Sequence, residues 1–253
     1  MRLRRLIKAS LRRRGYDLHR ITRACGEKDA FAEQEVLLSG VDVRTILDVG
    51  ANAGQTAIKY RSLFPAASIY SFEPYPESFA RLVERFGRDG RVKPIPQAVG
   101  NRVGTETFYV NKSHYTNSLL PCLTGEDLEP VGTLDVPMTT LDEFCEREGL
   151  DEVHILKMDI QGGELMALEG ATGQLRRKAV ALIYTEILFS PMYEGQAFFH
   201  DVSRFLHDHG YALFDQYNFS HKATGDLAWG DAIFISPQVT ARNAGRLRRP
   251  VLP

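Results

Sequence analysis

A short apolar run, Val43–Val49 (VRTILDV), ends at a glycine turn, Gly50-Ala51-Asn52-Ala53-Gly54, and a helical pattern over Gln55–Phe64 begins at once and stops at Pro65. The alternation then recurs. Ser68–Phe72, Val92–Ile95, Val153–Met158 and Val180–Ile187 read as strands, followed by Tyr211–Gln216 and Ala232–Ser236. Pro76–Phe86, Leu141–Glu148, a stretch opening at Gly163–Glu169, and Gly195–His209 read as helices, with Pro76 tolerated in a first turn. Unbroken apolar strands alternating with helices predict an α/β domain: a mainly parallel sheet covered on both faces. Such sheets bind ligands outside the carboxyl ends of their strands. Between them, Thr105–Val110 alternates, and the sequence around Asn111–Ser118 and Gly125–Gly132 is polar and turn-rich. That segment reads as a hairpin-like insertion.

The ends of the chain differ from its middle. Residues 1–23 hold nine Arg and Lys and one acid, so this segment is +8 while the other 230 residues sum to −9. Leu3, Leu6, Ile7 and Leu11 fall at helical spacing there. The arm reads as a basic amphipathic helix that either packs its apolar stripe on the domain or docks on a membrane surface or partner. Arg242, Arg246, Arg248 and Arg249 make the tail basic again. The organisation expected is a basic helical arm at 1–40, a core domain at 41–236 and a basic tail at 237–253. No run of about 18 apolar residues occurs, so no transmembrane segment is expected. Cys25, Cys122 and Cys145 form neither a disulfide framework nor a zinc motif, which points to a reducing, cytoplasmic compartment. A homo-oligomer is compatible with these features.

The glycine turn is the strongest local feature. Gly50 and Gly54 allow a tight turn and close approach to a ligand, and the following helix offers free N–H groups. Glu73, at the end of the second strand, suits an acceptor for two ribose hydroxyls. The arrangement fits a nicotinamide dinucleotide or S-adenosylmethionine. A dinucleotide site wants G-x-G-x-x-G, and its middle glycine is Asn52 here. Asp48, just before Gly50, favours a cofactor with an amino-acid end.

The run TILDVGANAGQTA followed by IYSFEPYPESFARL resembles the S-adenosylmethionine-dependent methyltransferases of the FkbM type. ILKMDIQGGELMALEGA, residues 155–171, is similar to the family's K-x-D-x-x-G-x-E-x-x-x-L-x-G-A pattern. The resemblance covers about residues 3–236. It implies a Rossmann-like methyltransferase fold with a seven-stranded, mainly parallel sheet. By position in the motifs, it implies cofactor contacts from Asp48, Gly50, Ala51, Asn52, Gly54, Glu73 and Pro74. Gln97 and Ala98 lie where such folds meet the adenine. The implied acceptor is commonly a hydroxyl, occasionally a carboxyl, on a small molecule, a sugar or a polyketide-like natural product. Gln161 stands where the family usually has Glu, and Gly163 where an aromatic or Ala is frequent.

Methyl transfer to an alcohol needs orientation and removal of a proton. Lys157 and Asp159 close an apolar strand, and Glu164 and Glu186 lie at neighbouring ends. Asp159, Lys157 and the loop residue His114 are the catalytic candidates. Asp159 and Glu186 are also oxygen ligands suited to Mg²⁺ or another divalent cation that lowers the hydroxyl pKa. A Lys157–Asp159 ion pair with Glu164 as a helix cap is the purely structural alternative. Met158-Asp159-Ile160-Gln161 stands where N-methylating enzymes of nucleic acids carry a Pro-Pro-aromatic segment, and the acidic body offers no basic stripe, so nucleic acid is not an expected partner. The expected activity is O-methyl transfer. Two other readings remain at this level: a nicotinamide-dependent oxidoreductase, and a non-catalytic module docked by its basic arm.

Overall fold

The computed structural model describes residues 29–123 and 128–247 of the chain. The expectations for residues 1–23, Cys25 and the last arginines fall outside them.

The strands are β1 (Thr45–Val49), β2 (Ser68–Phe72), β3 (Val92–Ile95), β4 (Ala98–Val99), β5 (Gly104–Asn111), β6 (Pro130–Thr139), β7 (Val153–Met158), β8 (Val180–Leu188), β9 (Ala212–His221) and β10 (Leu227–Ile235). The helices are α1 (Ala30–Leu37), α2 (Gln55–Leu63), α3 (Pro76–Phe86), α4 (Leu141–Glu148), α5 (Glu164–Glu169), α6 (Thr172–Arg176), α7 (Phe199–Asp208) and α8 (Pro237–Leu247). Seven strands form one sheet in the order β3-β2-β1-β7-β8-β10-β9. β1, β2, β3, β7 and β8 are parallel, and β10 runs antiparallel to both β8 and β9. A second sheet, β4-β6-β5, is built on an antiparallel β5–β6 pair, which is the insertion read from the sequence.

Alternation sorts the side chains into two cores. Leu47, Val49, Leu156, Met158 and Ile183 face one side, where Phe144 of α4 packs edge-on against Phe72 at 4.7 Å and Tyr70 at 5.3 Å. Ile46, Ile155, Leu182 and Ile233 face the other, under α1, α2, α3 and α8. Both faces are therefore closed, which explains the unbroken apolar strand runs.

The strand order reverses between β1 and β7. β1, β2 and β3 are laid down outward, and the chain then returns to place β7 beside β1. Crevices at such switch points are where open α/β sheets bind ligands. Here the loops after β1 and β7 touch: a Cβ at Gly50 would lie 1.9 Å from the Asp159 carbonyl oxygen.

Several elements depart from the sequence reading. α7 starts at Phe199, so residues 195–198 precede it and His209 is its cap. The last two strands are longer than expected and form a hairpin with register shifts. Part of the expected basic tail, Pro237–Leu247, is α8; it is pinned by buried Val239 and by Asn243, whose Nδ2 donates to Leu37 O at 3.0 Å. Among the described residues no helix is long and apolar enough to cross a membrane.

Candidate active site

The turn after β1 is built from left-handed backbone: Gly50 (φ 75°), Asn52 (φ 48°) and Gly54 (φ 85°). Gly54 also faces α3, where a Cβ would meet the Phe86 ring at 2.5 Å. Asn52 closes the turn by accepting from Ala53 N at 2.7 Å. The Gly50 and Ala51 N–H groups both donate to Phe72 O, at 3.1 and 2.9 Å. Glu73 ties the turn to the end of β2: Oε2 accepts from Asn52 N at 2.8 Å and Oε1 from Tyr75 N at 2.9 Å.

These parts floor a narrow cleft of about 80 Å³ that opens to solvent. Gly50, Asn52, Glu73, Pro74, Gln97 and Ala98 line it, as expected of cofactor residues. Phe72, Val99, Phe108 and Ile160 supply apolar wall. Ala51 and Gly54 shape the turn without lining the cleft.

Asp48 is the main departure. It was expected to accept from a ligand, but it is fully buried beneath the turn. Its Oδ1 pairs with Lys157 Nζ at 3.2 Å, because the two residues are register partners on adjacent strands β1 and β7. Lys157 also donates to Val49 O at 3.2 Å and Gly50 O at 2.8 Å. Burial disfavours the ammonium, and the Asp48 and Asp159 carboxylates outweigh it, holding Lys157 above its ordinary range. Lys157 is thus a clamp on the turn, bonded to two of its carbonyls and ion-paired with Asp48. The structural alternative of a Lys157–Asp159 pair gives way to Lys157–Asp48.

Asp159 follows β7 and lines both this cleft and a second, larger one beside it. Gln161 (φ 57°) and Gly162 (φ 95°) turn the chain there. Glu164 staples that turn, Oε1 accepting from Ile160 N at 2.8 Å. The Gln161 amide Nε2 donates to Asp159 Oδ1 at 2.9 Å and to Glu186 Oε2 at 3.0 Å. Its Oε1 accepts from Tyr193 Oη at 2.8 Å. An amide nitrogen therefore sits where a cation shared by Asp159 and Glu186 was expected. Among the described residues no three His, Cys, Asp or Glu side chains gather as a metal-binding group. This donor set does not fit a divalent ion.

His114, in a 3₁₀ turn at His114–Thr116, lines the first cleft only. Its Nε2 lies 3.5 Å from Arg81 Nη1, and its ring packs on Tyr115 at 4.4 Å between centroids. The second cleft is walled by residues that were not singled out: Phe31, Tyr184, Asn218 and Asp231, joined by Trp229. Asn117, also not singled out, lines the first. Its Oδ1 accepts from Asn111 N at 2.8 Å, while its buried Nδ2 has no partner. Asn117 sits in the polar insertion, whose only signal in the sequence was its turn-rich composition.

Burial raises five acids here, Asp48 among them against the pull of Lys157. Glu73 and Glu164 are pushed up to about 7, against the backbone N–H bonds they accept. Glu186 is held well above the carboxylate range by burial and by Asp159, Glu164 and Asp231. Asp231 is raised by burial against the pull of Asn218 and Tyr184. The folded protein therefore binds protons more tightly than the unfolded chain above pH 4.5, and stability falls as pH rises towards 7. Glu164 alone accounts for about 1–3 kcal/mol across that window. His154, lowered by burial, works the other way below its ordinary 6.5, as one group against five. Scanning calorimetry of the ligand-free protein is expected to give a higher Tm at pH 5 than at pH 7.5. An equal or reversed order would refute this account.

Comparison with known proteins identifies the frame. The chain is 29% identical over 163 residues to the 2-O-methyltransferase NoeI of Sinorhizobium fredii, covering 60% of this chain and 66% of that protein. It is 27% identical over 173 residues to the hexuronic acid methyltransferase AglP of Haloferax volcanii, covering 68% and 66%. The chain thus spans just under two thirds of each of these curated relatives. The crystal structure of an FkbM methyltransferase from Methylobacillus flagellatus superposes with a TM-score of 0.50 at 16% identity, over 78% of this chain and 45% of that one, a likeness of fold. The family model of the methyltransferase FkbM domain matches residues 48–213, from the buried aspartate of β1 into β9, and the chain belongs to that family.

Proposed function

We propose that this chain is an S-adenosylmethionine-dependent O-methyltransferase acting on a sugar hydroxyl. The observation that carries the reading is the meeting of two clefts at Asp159: one floored by the glycine turn and Glu73, the other walled by carboxylates and aromatic rings. The first cleft fits the cofactor. Glu73 is the acceptor for the ribose hydroxyls, with Asn52 and Pro74 beside it. Gln97 and Ala98, with the apolar Phe72, Val99 and Phe108, would hold the cofactor's base. The orphaned Asn117 Nδ2 is a donor still to be satisfied, and buried donors without partners are costly. S-adenosylmethionine supplies, when bound, a methyl carbon made electrophilic by its sulfonium centre.

The chain's own residues do the rest. Lys157 and Asp48 hold the turn rigid from beneath. Gln161 fixes Asp159 by its Oδ1, and Asp159 Oδ2 has no partner among the described residues. That oxygen accepts the acceptor hydroxyl's proton as the oxygen attacks. Rigid mounting at the junction gives the orientation on which in-line displacement depends. No step is assigned to a metal, because Gln161 occupies the place between the two acids. The names of the two relatives, a 2-O-methyltransferase and a hexuronic acid methyltransferase, support hydroxyl and sugar chemistry.

The test is mass spectrometry of a glycoside panel incubated with the protein and S-adenosylmethionine, with one added methyl as the expected product. Absence of product across the panel, with no binding of S-adenosylhomocysteine, would overturn the proposal. So would binding of a nicotinamide dinucleotide in its place. Glu73→Ala is expected to weaken S-adenosylhomocysteine binding about 10–100-fold by calorimetry. Unchanged affinity would remove Glu73 from the ribose.

A further inference from the structure

The second cleft has a chemical character of its own. Glu186 of β8 and Asp231 of β10 are direct partners in the antiparallel ladder, so their side chains share a face. Two carboxyls facing one another across a ladder crowd like charge, and burial with its acidic neighbours raises Glu186 accordingly. Glu186 is more than nine-tenths buried, yet only its Oε2 is bonded, to the Gln161 amide. Asp231 is mounted firmly by its Oδ2, which accepts from Tyr184 Oη at 2.7 Å and from Asn218 Nδ2 at 2.6 Å. Asn218 reaches it from left-handed backbone (φ 51°), a conformation asparagine tolerates well. Glu186 Oε1 and Asp231 Oδ1 have no partner among the described residues, and both side chains line the cleft.

The cations nearby do not cancel these acids. Lys157 is committed to Asp48 and to two turn carbonyls. Lys59 stands exposed at the rim with its ammonium over the Phe31 ring at 4.3 Å. Trp229 adds a flat apolar surface to the same wall. Carboxyl oxygens beside an aromatic face suit the hydroxyls and C–H face of a pyranose, and the Asp231 carboxylate opposes a second anion.

We propose that Glu186 and Asp231 form a hydroxyl-binding subsite that selects neutral or amino pyranosides and rejects acidic ones. The inference rests on the acceptor reading of this cleft and deepens it. It also sets this chain apart from the relative named for hexuronic acid.

Trp229 is the chain's single tryptophan, so its emission reports this cleft directly. The full chain, saturated with S-adenosylhomocysteine, is titrated with methyl glycosides in gluco, galacto and manno configurations. Each is offered as the neutral sugar, the 2-amino sugar and the uronic acid. Neutral or amino forms are expected to shift the emission, with the matching uronic acid about tenfold weaker or more. Asp231→Asn keeps shape and removes the carboxylate's charge, and it is expected to narrow that gap several-fold. A uronic acid that binds as tightly as its neutral counterpart overturns the proposal, as does the absence of any shift with every glycoside. Methylation of a uronic acid sinks the subsite and leaves the methyltransferase reading standing. Selective binding with no methylated product does the reverse.

Discussion

Asp159→Asn is expected to lower kcat about 10²–10⁴-fold while S-adenosylhomocysteine affinity stays within about threefold. Asparagine keeps an Oδ1 for the Gln161 amide, which now lies 2.9 Å from Asp159 Oδ1. It removes the free carboxylate oxygen at the junction of the clefts. Cofactor binding draws instead on Glu73, the glycine turn and the apolar walls, none of which the substitution touches. The loss should therefore appear in single-turnover rates and leave acceptor KM nearly unchanged. The other two catalytic candidates have no such position. Lys157 donates to Val49 O and Gly50 O and is ion-paired with Asp48. His114 lines the first cleft, beside Arg81. A kcat within fivefold of the parent would remove Asp159 as the base.

The contrast between what could and could not be read from the residues has a physical source. β1, β2, β7 and β8 were legible because strands buried on both faces are apolar throughout. The turn and Glu73 were legible because 26 consecutive residues, 48–73, contain the whole device. α8 was not: it lies in what read as a basic tail, and it is held by buried Val239 and by the Asn243 bond to Leu37. The far ends of β9 and β10 were missed because they carry register shifts, which blur a period of two, and β9's end is largely exposed. The second cleft was missed for a different reason. Phe31 and Asp231 lie 200 positions apart, and they meet only because β10 turns back antiparallel beside β8. Asp48 was recognised as an acceptor, but its partner sits 109 positions further on, in a strand laid beside it by the crossover.

That pairing gives the largest stability effect expected. Lys157→Met should destabilise the ligand-free protein by about 3–5 kcal/mol in urea titrations at pH 7. Methionine fills the ammonium's hydrocarbon volume, so the loss is not chiefly one of packing. It comes from leaving the Asp48 carboxyl fully buried with only Ser71 Oγ, 3.5 Å away, as a donor. Burial already pushes Asp48 upward against the pull of Lys157. Without the lysine its folded pKa climbs further, so the deficit should shrink as pH is lowered towards the unfolded carboxylate range, where the acid is protonated in both states. The double variant Asp48→Asn with Lys157→Met should recover most of the loss, because an isosteric uncharged pair avoids the desolvation cost of two ions. It should still bind S-adenosylhomocysteine more weakly than the parent, since Val49 O and Gly50 O have lost the donor that holds the turn. Recovery of stability without recovery of binding separates the clamp from the ion pair. A double variant as unstable as the single one would show that the stability comes from lysine's bonds to the turn carbonyls, with the charge on Asp48 contributing little.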